Sequence, residues 1–231
     1  MEVMRTDLSR EMKVWGSREP PIVVASDGRL DEHAASIAVV VIDGSNGTRR
    51  CVLADIPPGL REKWRDLNRV EKDEDRDYHY IALVEQAAVV LGVCEFAQEW
   101  AGRDVVWFID NLATLAGLAK GHNHNAELDN ANAFIHVMLA HMKTRCWWEY
   151  ISSKANWADG PSREMEGCEW LREENFEVWR GEVIEWPWEE CAGDRPGRIK
   201  ALLDAAMGEC GSQEAVLGGQ VPKVWEHRPP H

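Results

Sequence analysis

Asp104-Val105-Val106-Trp107-Phe108-Ile109-Asp110-Asn111 is the stretch on which the reading of this chain turns. An unbroken apolar run between polar residues is the pattern of a strand buried in the middle of a sheet. Asp110 then stands at the carboxyl end of that strand, where open α/β sheets carry their chemistry. An aspartate there also has a plainer use, as the N-cap of the next helix. The flanking sequence weighs between the two.

Downstream, residues 112–120 (LATLAGLAK) predict a short helix closed by Gly121, a good C-cap residue. His122-Asn123-His124-Asn125 follows as a loop, and its His-x-His has no third ligand at zinc spacing. Ala126 to Lys143 predicts an amphipathic helix with Leu128, Ala131, Ile135, Met138, Leu139 and Met142 near one face. Cys146 to Ser152 predicts a strand that leads into Asn156-Trp157-Ala158-Asp159-Gly160-Pro161-Ser162-Arg163. Asp159 precedes Pro161, a residue suited to a helical first turn.

Upstream, His79 to Trp100 is the clearest helix, with Gly92 as its one helix-weakening residue. Glu85 has Ile81, Ala82, Ala88 and Val89 as its helical neighbours. A carboxylate centred on an apolar face is costly to bury unless it is paired or bound to a cation. Ile22 to Gly28 (IVVASDG) repeats the opening pattern, an apolar run ending in Asp27. Ala35–Ile42 and Thr48–Ala54 predict two more strands, and the intervening Asp43-Gly44 and Asn46-Gly47 are turn signals. The three strands predict an antiparallel meander. Residues 60–77 are highly charged and predict an exposed helix or loop, with the acids from Glu71 to Asp77 on a solvated face.

The inferred order places an antiparallel meander before α/β units, which makes a mixed sheet flanked by helices. The first and fourth strands can lie side by side in parallel, joined by a crossover through the helix of Glu85. Asp27 and Asp110 then end adjacent strands, Glu85 comes from the crossing helix, and Asp159 starts the last helix. Close carboxylates repel unless cations lie between them. Such an oxygen-rich group suits Mg²⁺ or Mn²⁺, and two ions together can clamp the attacking and leaving oxygens of a phosphodiester.

The order Asp, Glu, Asp, Asp on these elements resembles the type 1 ribonuclease H family, and most closely the RNase H domains of retroelement reverse transcriptases. The matching pieces are IVVASDG at 22–28, HYIALVEQAAVVLGV at 79–93, VVWFIDNLATLAGLAKG at 105–121 and WWEYISSKANWADGPSR at 147–163. The resemblance implies an RNase H-like α/β fold with a mixed five-stranded sheet. It implies hydrolysis of the RNA strand of RNA–DNA hybrids with two Mg²⁺ ions, or Mn²⁺ in their place, giving 5′-phosphate products. Asp27, Glu85, Asp110 and Asp159 would be the metal-binding catalytic acids. Gly28, Asn111 and Asn156 would assist substrate binding. A reverse transcriptase domain upstream would be a natural partner.

Three features depart from the family pattern. Ser152 to Trp157 holds no histidine, where many members carry one. Gly28-Arg29-Leu30-Asp31-Glu32-His33 replaces the usual small, Gly-rich turn. No basic helix or loop stands out to grip a DNA strand. The formal net charge is −14, and residues 164–231 hold 7 basic against 15 acidic residues. Phosphate affinity comes largely from Lys and Arg, so nucleic-acid binding must come from a local site, from cations or from a partner.

The expected division is a leader at 1–20, an RNase H-like domain at 21–165, and an acidic, Trp-rich extension at 166–231 ending in a flexible tail. The leader is polar and mixed in charge, unlike a signal peptide. No apolar run is long enough to span a bilayer. The six cysteines are scattered without a Cys-x-x-Cys pair, which predicts free thiols in a reducing, intracellular compartment. Two other readings compete with a hybrid-specific nuclease. One is a non-catalytic RNase H-like interaction module, to which the acidity lends weight. The other is a transposase- or integrase-like nuclease, disfavoured because Glu85 precedes Asp110.

Overall fold

The computed structural model describes residues 19–31, 34–70, 76–96 and 99–183. Six strands form one sheet: β1 (Ile22–Leu30), β2 (Ala35–Asp43), β3 (Thr48–Asp55), β4 (Asp104–Ile109), β5 (Arg145–Tyr150) and β6 (Glu177–Arg180). Their spatial order is β5-β4-β1-β2-β3-β6. β1 pairs antiparallel with β2, and β2 antiparallel with β3. β4 runs parallel to β1 and to β5. The expected meander and the expected β1–β4 neighbourhood are both present in this mixed sheet.

The sheet has one strand more than the five expected. β6 pairs in parallel with β3, from Arg50 opposite Glu177 to Leu53 opposite Arg180. Its sequence, Glu-Val-Trp-Arg, is short and charged at both ends, so it shows little of the periodicity that marks a strand.

Among the described residues six α-helices accompany the sheet: α1 (Pro58–Val70), α2 (Arg76–Phe96), α3 (Leu112–Lys120), α4 (Ala126–His141), α5 (Asp159–Glu164) and α6 (Glu169–Glu173). α2 makes the crossover from the meander to β4. Ala82, Leu83, Val84, Ala87, Ala88 and Val89 are each at most 1 % exposed, so the helix is buried nearly all round. Gly92 explains how it fits. A Cβ there would stand 2.7 Å from Trp107 Cη2 and 3.1 Å from Val39 Cγ1. The missing side chain lets α2 lie directly on the Trp107 ring.

Residues 60–77 depart from their expected exposure at the α1 end. Leu60 and Trp64 of α1 are buried, on a helix whose other face is charged. The side chains from Glu71 to Asp77 lie outside the described residues, as do most of the expected leader and the C-terminal part of the expected extension with its tail.

The two faces of the sheet have separate apolar cores. The larger packs α1, α2 and α4 on Ile22, Val24, Ile37, Val39, Val52, Val105, Trp107 and Ile109. The smaller sets Ala158, Cys168, Leu171 and Phe176 against Ala25, Ala38, Val40, Cys51 and Leu53. Residues 168–183 therefore pack on the sheet. Trp179 of β6 also lies edge-on to Phe96 and donates its indole N–H to Glu95 at 3.1 Å.

Candidate functional site

The parallel register pairs Ala25 with Phe108. Two residues further on each strand come Asp27 and Asp110, so the pleat sends their side chains to the same face of adjacent strands. Asp110 does not serve as the helix cap. Asn111 does, its side-chain oxygen accepting from the Ala113 and Thr114 amides at 3.0 Å each. This leaves the Asp110 carboxylate for other work, and its Oδ1 is buried without a hydrogen-bond partner.

Glu85 reaches the same place from α2. Carboxylate oxygens of Asp27, Glu85 and Asp110 all lie within 4.8 Å of one another. Asp27 and Glu85 are each 5 % exposed. Glu85 Oε2 is buried and unpartnered, while the Gly28 backbone bonds to its carboxylate. Burial, with Asp27 and Asp110 beside it, pushes the Glu85 carboxyl well above its ordinary range. Burial, opposed by a hydrogen bond from Ser162 and reinforced by Asp110 and Asp159, raises Asp27 to about 6.

Asp159 is the expected acid that the structure does not bring into this cluster. It opens α5 and pairs with Arg163 one turn later, at 2.8 and 2.9 Å. Its charge is still felt by Asp27 and Glu85. Both contacts fall on its Oδ1.

The expected supporting residues turn out to be engaged in the scaffold. Asn156 is buried; its Nδ2 donates to the Ser26 carbonyl at 3.0 Å and its Oδ1 accepts from the Ala158 amide at 3.1 Å. It ties the loop before α5 to β1, one residue from Asp27. Gly28 is where β1 crosses α2. A Cβ there would lie 2.9 Å from the Glu85 backbone nitrogen and 3.0 Å from the Val84 carbonyl carbon. Backbone cannot step aside as a flexible side chain can. Gly28→Ala is therefore expected to cost roughly 1–3 kcal/mol of stability and to displace Glu85. Thermal melting together with the metal-induced rise in melting temperature checks it; a variant matching the parent in both would refute the close-approach account.

Ser162 lies on α5, three residues after Asp159. It is fully buried, donates to Asp27 Oδ2, and its carbonyl accepts from Ser36 at 2.7 Å. It fixes the Asp27 carboxylate from the α5 side. Arg29 donates to the Arg163 carbonyl at 2.9 Å and joins β1 to the same helix. A serine three residues after an aspartate was the only sequence signal for this contact, and it reads equally well as part of a helix start.

The donor set fits a hard divalent cation. It consists only of carboxylate oxygens, it is crowded with like charge, and two of its buried oxygens have no partner.

No family model and no curated protein matches the chain. Several solved structures resemble it at low identity. RNase H1 from the halophilic archaeon Halobacterium salinarum NRC-1 is 13 % identical with a TM-score of 0.45, over 63 % of this chain and 96 % of that one. The N-terminal RNase H domain of rv2228c from Mycobacterium tuberculosis, solved as a fusion with maltose binding protein, is 10 % identical with a TM-score of 0.47, over 67 % and 98 %. LC11-RNase H1, isolated from compost by a metagenomic approach, is 15 % identical with a TM-score of 0.43, over 66 % and 98 %.

Proposed function

We propose that this chain is a divalent-metal-dependent endoribonuclease that hydrolyses the RNA strand of RNA–DNA hybrids, of the kind carried by retroelement reverse transcriptases. The observation that carries the reading is the convergence of Asp27, Glu85 and Asp110 from β1, α2 and the end of β4, with buried oxygens left unpartnered. A fold does not keep so costly a group for stability, because each desolvated carboxylate weakens the native state. The motifs that resemble the family supply the substrate class, including the hybrid's accessible minor groove and 2′-hydroxyls.

Asp27, Glu85 and Asp110 would hold Mg²⁺ or Mn²⁺, with Asp159 joining as a fourth acid. Two bound ions would supply charge stabilisation to the attacking and leaving oxygens of the phosphodiester. The chain's own part is to hold these acids in place. Ser162 orients Asp27, the Gly28 backbone holds one side of Glu85, and Asn111 caps α3 so that Asp110 is left free. Asn156 keeps the loop before Asp159 against β1. No helix of the described residues is long and apolar enough to cross a membrane.

The test is cleavage of an end-labelled RNA–DNA hybrid with Mg²⁺ or Mn²⁺, beside duplex RNA, duplex DNA and a chelator control. Cutting of the hybrid's RNA strand alone, dependent on metal, is the expected result. No cutting with either metal would overturn the reading and leave the interaction module in its place.

A further inference from the structure

Trp157 is 39 % exposed, although both of its chain neighbours, Asn156 and Ala158, are buried. Its predecessor Asn156 is bonded to the Ser26 carbonyl, and its successor Ala158 is fully buried in the smaller core. Its ring lies edge-on to Phe108, with centroids 6.1 Å apart. Phe108 precedes Asp110 by two residues, and Trp157 precedes Asp159 by two. The aromatic pair is thus built from the same two segments that carry two of the acids.

Other large apolar side chains are exposed at this end of the sheet. Tyr150, the last residue of β5, is 52 % exposed, and Leu112, the first of α3, is 64 % exposed. Two cations on these segments are engaged, while Lys154, three residues before Trp157, is exposed. Arg163 pairs with Asp159, and Arg29 lies 3.3 Å from Asp31 and bonds to the Arg163 carbonyl. A strand whose phosphate lies at the acid cluster would meet exposed aromatic and apolar side chains at this end of the sheet.

We propose that Trp157 is a nucleotide contact of this site. Its exposed indole takes the sugar and base of the RNA nucleotide beside the reacting phosphate. The proposal rests on the nuclease reading and adds to it a grip on substrate that needs no positive charge. Aromatic contacts hold nucleotides with little dependence on sequence, since every base presents a π-face. They also release no counterions, so they leave the salt dependence of binding unchanged.

The test measures equilibrium binding of a labelled RNA–DNA hybrid with Mg²⁺ in the Asp110→Asn background, over a range of salt, for Trp157, Trp157→Phe and Trp157→Leu. Steady-state kinetics of the same substitutions in the otherwise native protein accompany it. Trp157→Leu is expected to weaken binding about 10-fold, within the range of one aromatic–base contact. Its salt slope should stay unchanged, and KM should rise more than kcat falls. Trp157→Phe should stay within about 3-fold of the parent. Leucine keeps an apolar side chain against Phe108, so a role in packing alone predicts that it binds like the parent; that result, with an unchanged melting temperature, overturns the proposal. A parallel loss of melting temperature and kcat with unchanged Kd overturns it as well. If the parent binds no hybrid, the nuclease reading fails and the nucleotide contact fails with it. If the parent binds and cuts while Trp157→Leu matches it, only the contact fails.

Discussion

Asp110→Asn is expected to reduce metal-dependent cleavage of the hybrid by at least ~10²-fold while leaving the fold intact. The size follows from the several kcal/mol that a correctly held cation contributes to a phosphoryl transition state, at about 1.4 kcal/mol for each tenfold in rate. The substitution keeps the shape of the side chain and removes one negative charge from a group of three carboxylates. It spares the helix that follows, because Asn111 and not Asp110 caps α3. Single-turnover rates at saturating metal, read beside a thermal melt, check it. Cleavage equal to that of the parent would remove Asp110 from the chemistry.

Asp27→Asn is expected to make the metal-free protein more stable at pH 7.5 by roughly 3 kcal/mol, or about 5–10 °C in melting temperature. The Asp27 carboxyl sits at about 6 in the fold against an ordinary 3.8. Below the lower value both folded and unfolded chains keep the proton, and the group's contribution to stability is fully present. As pH rises through about 6 the fold must accept a buried charge, and the contribution is lost. The variant's advantage should therefore be large at pH 7.5 and vanish near pH 4. Mg²⁺ should recover much of the same stability in the parent by meeting that charge. Melting curves at the two pH values, with and without the ion, give the result; an advantage independent of pH would contradict the burial argument.

Much of this site was legible because it lies on strongly patterned elements. The runs ending in Asp27 and Asp110 are short, apolar and closed by carboxylates, and strand pairing brings their ends together. Glu85 stood out by the apolar company of its helical neighbours, and it is buried as that company implies. What could not be read was the set of small contacts around these acids. Whether Asp159 faces a cation or Arg163 depends on side-chain geometry, and Asn156 gives no sign of facing inward. The same limit hid β6, whose place depends on an open strand edge far away in sequence and not on its own four residues.

That last strand bears on how the chain comes to be folded. β1, β2 and β3 can pair as soon as they exist, because only tight turns separate them. The outer edge of β3 finds its partner only when Glu177–Arg180 arrives, long after α5 and its acid have been made. Until then a row of backbone donors and acceptors stands open, the kind of edge at which one chain recruits another. Glu177–Arg180 thus form a late-closing seam: among the described residues none beyond 165 joins the acid cluster, yet these four cover an edge on which a second copy of the sheet could otherwise pair.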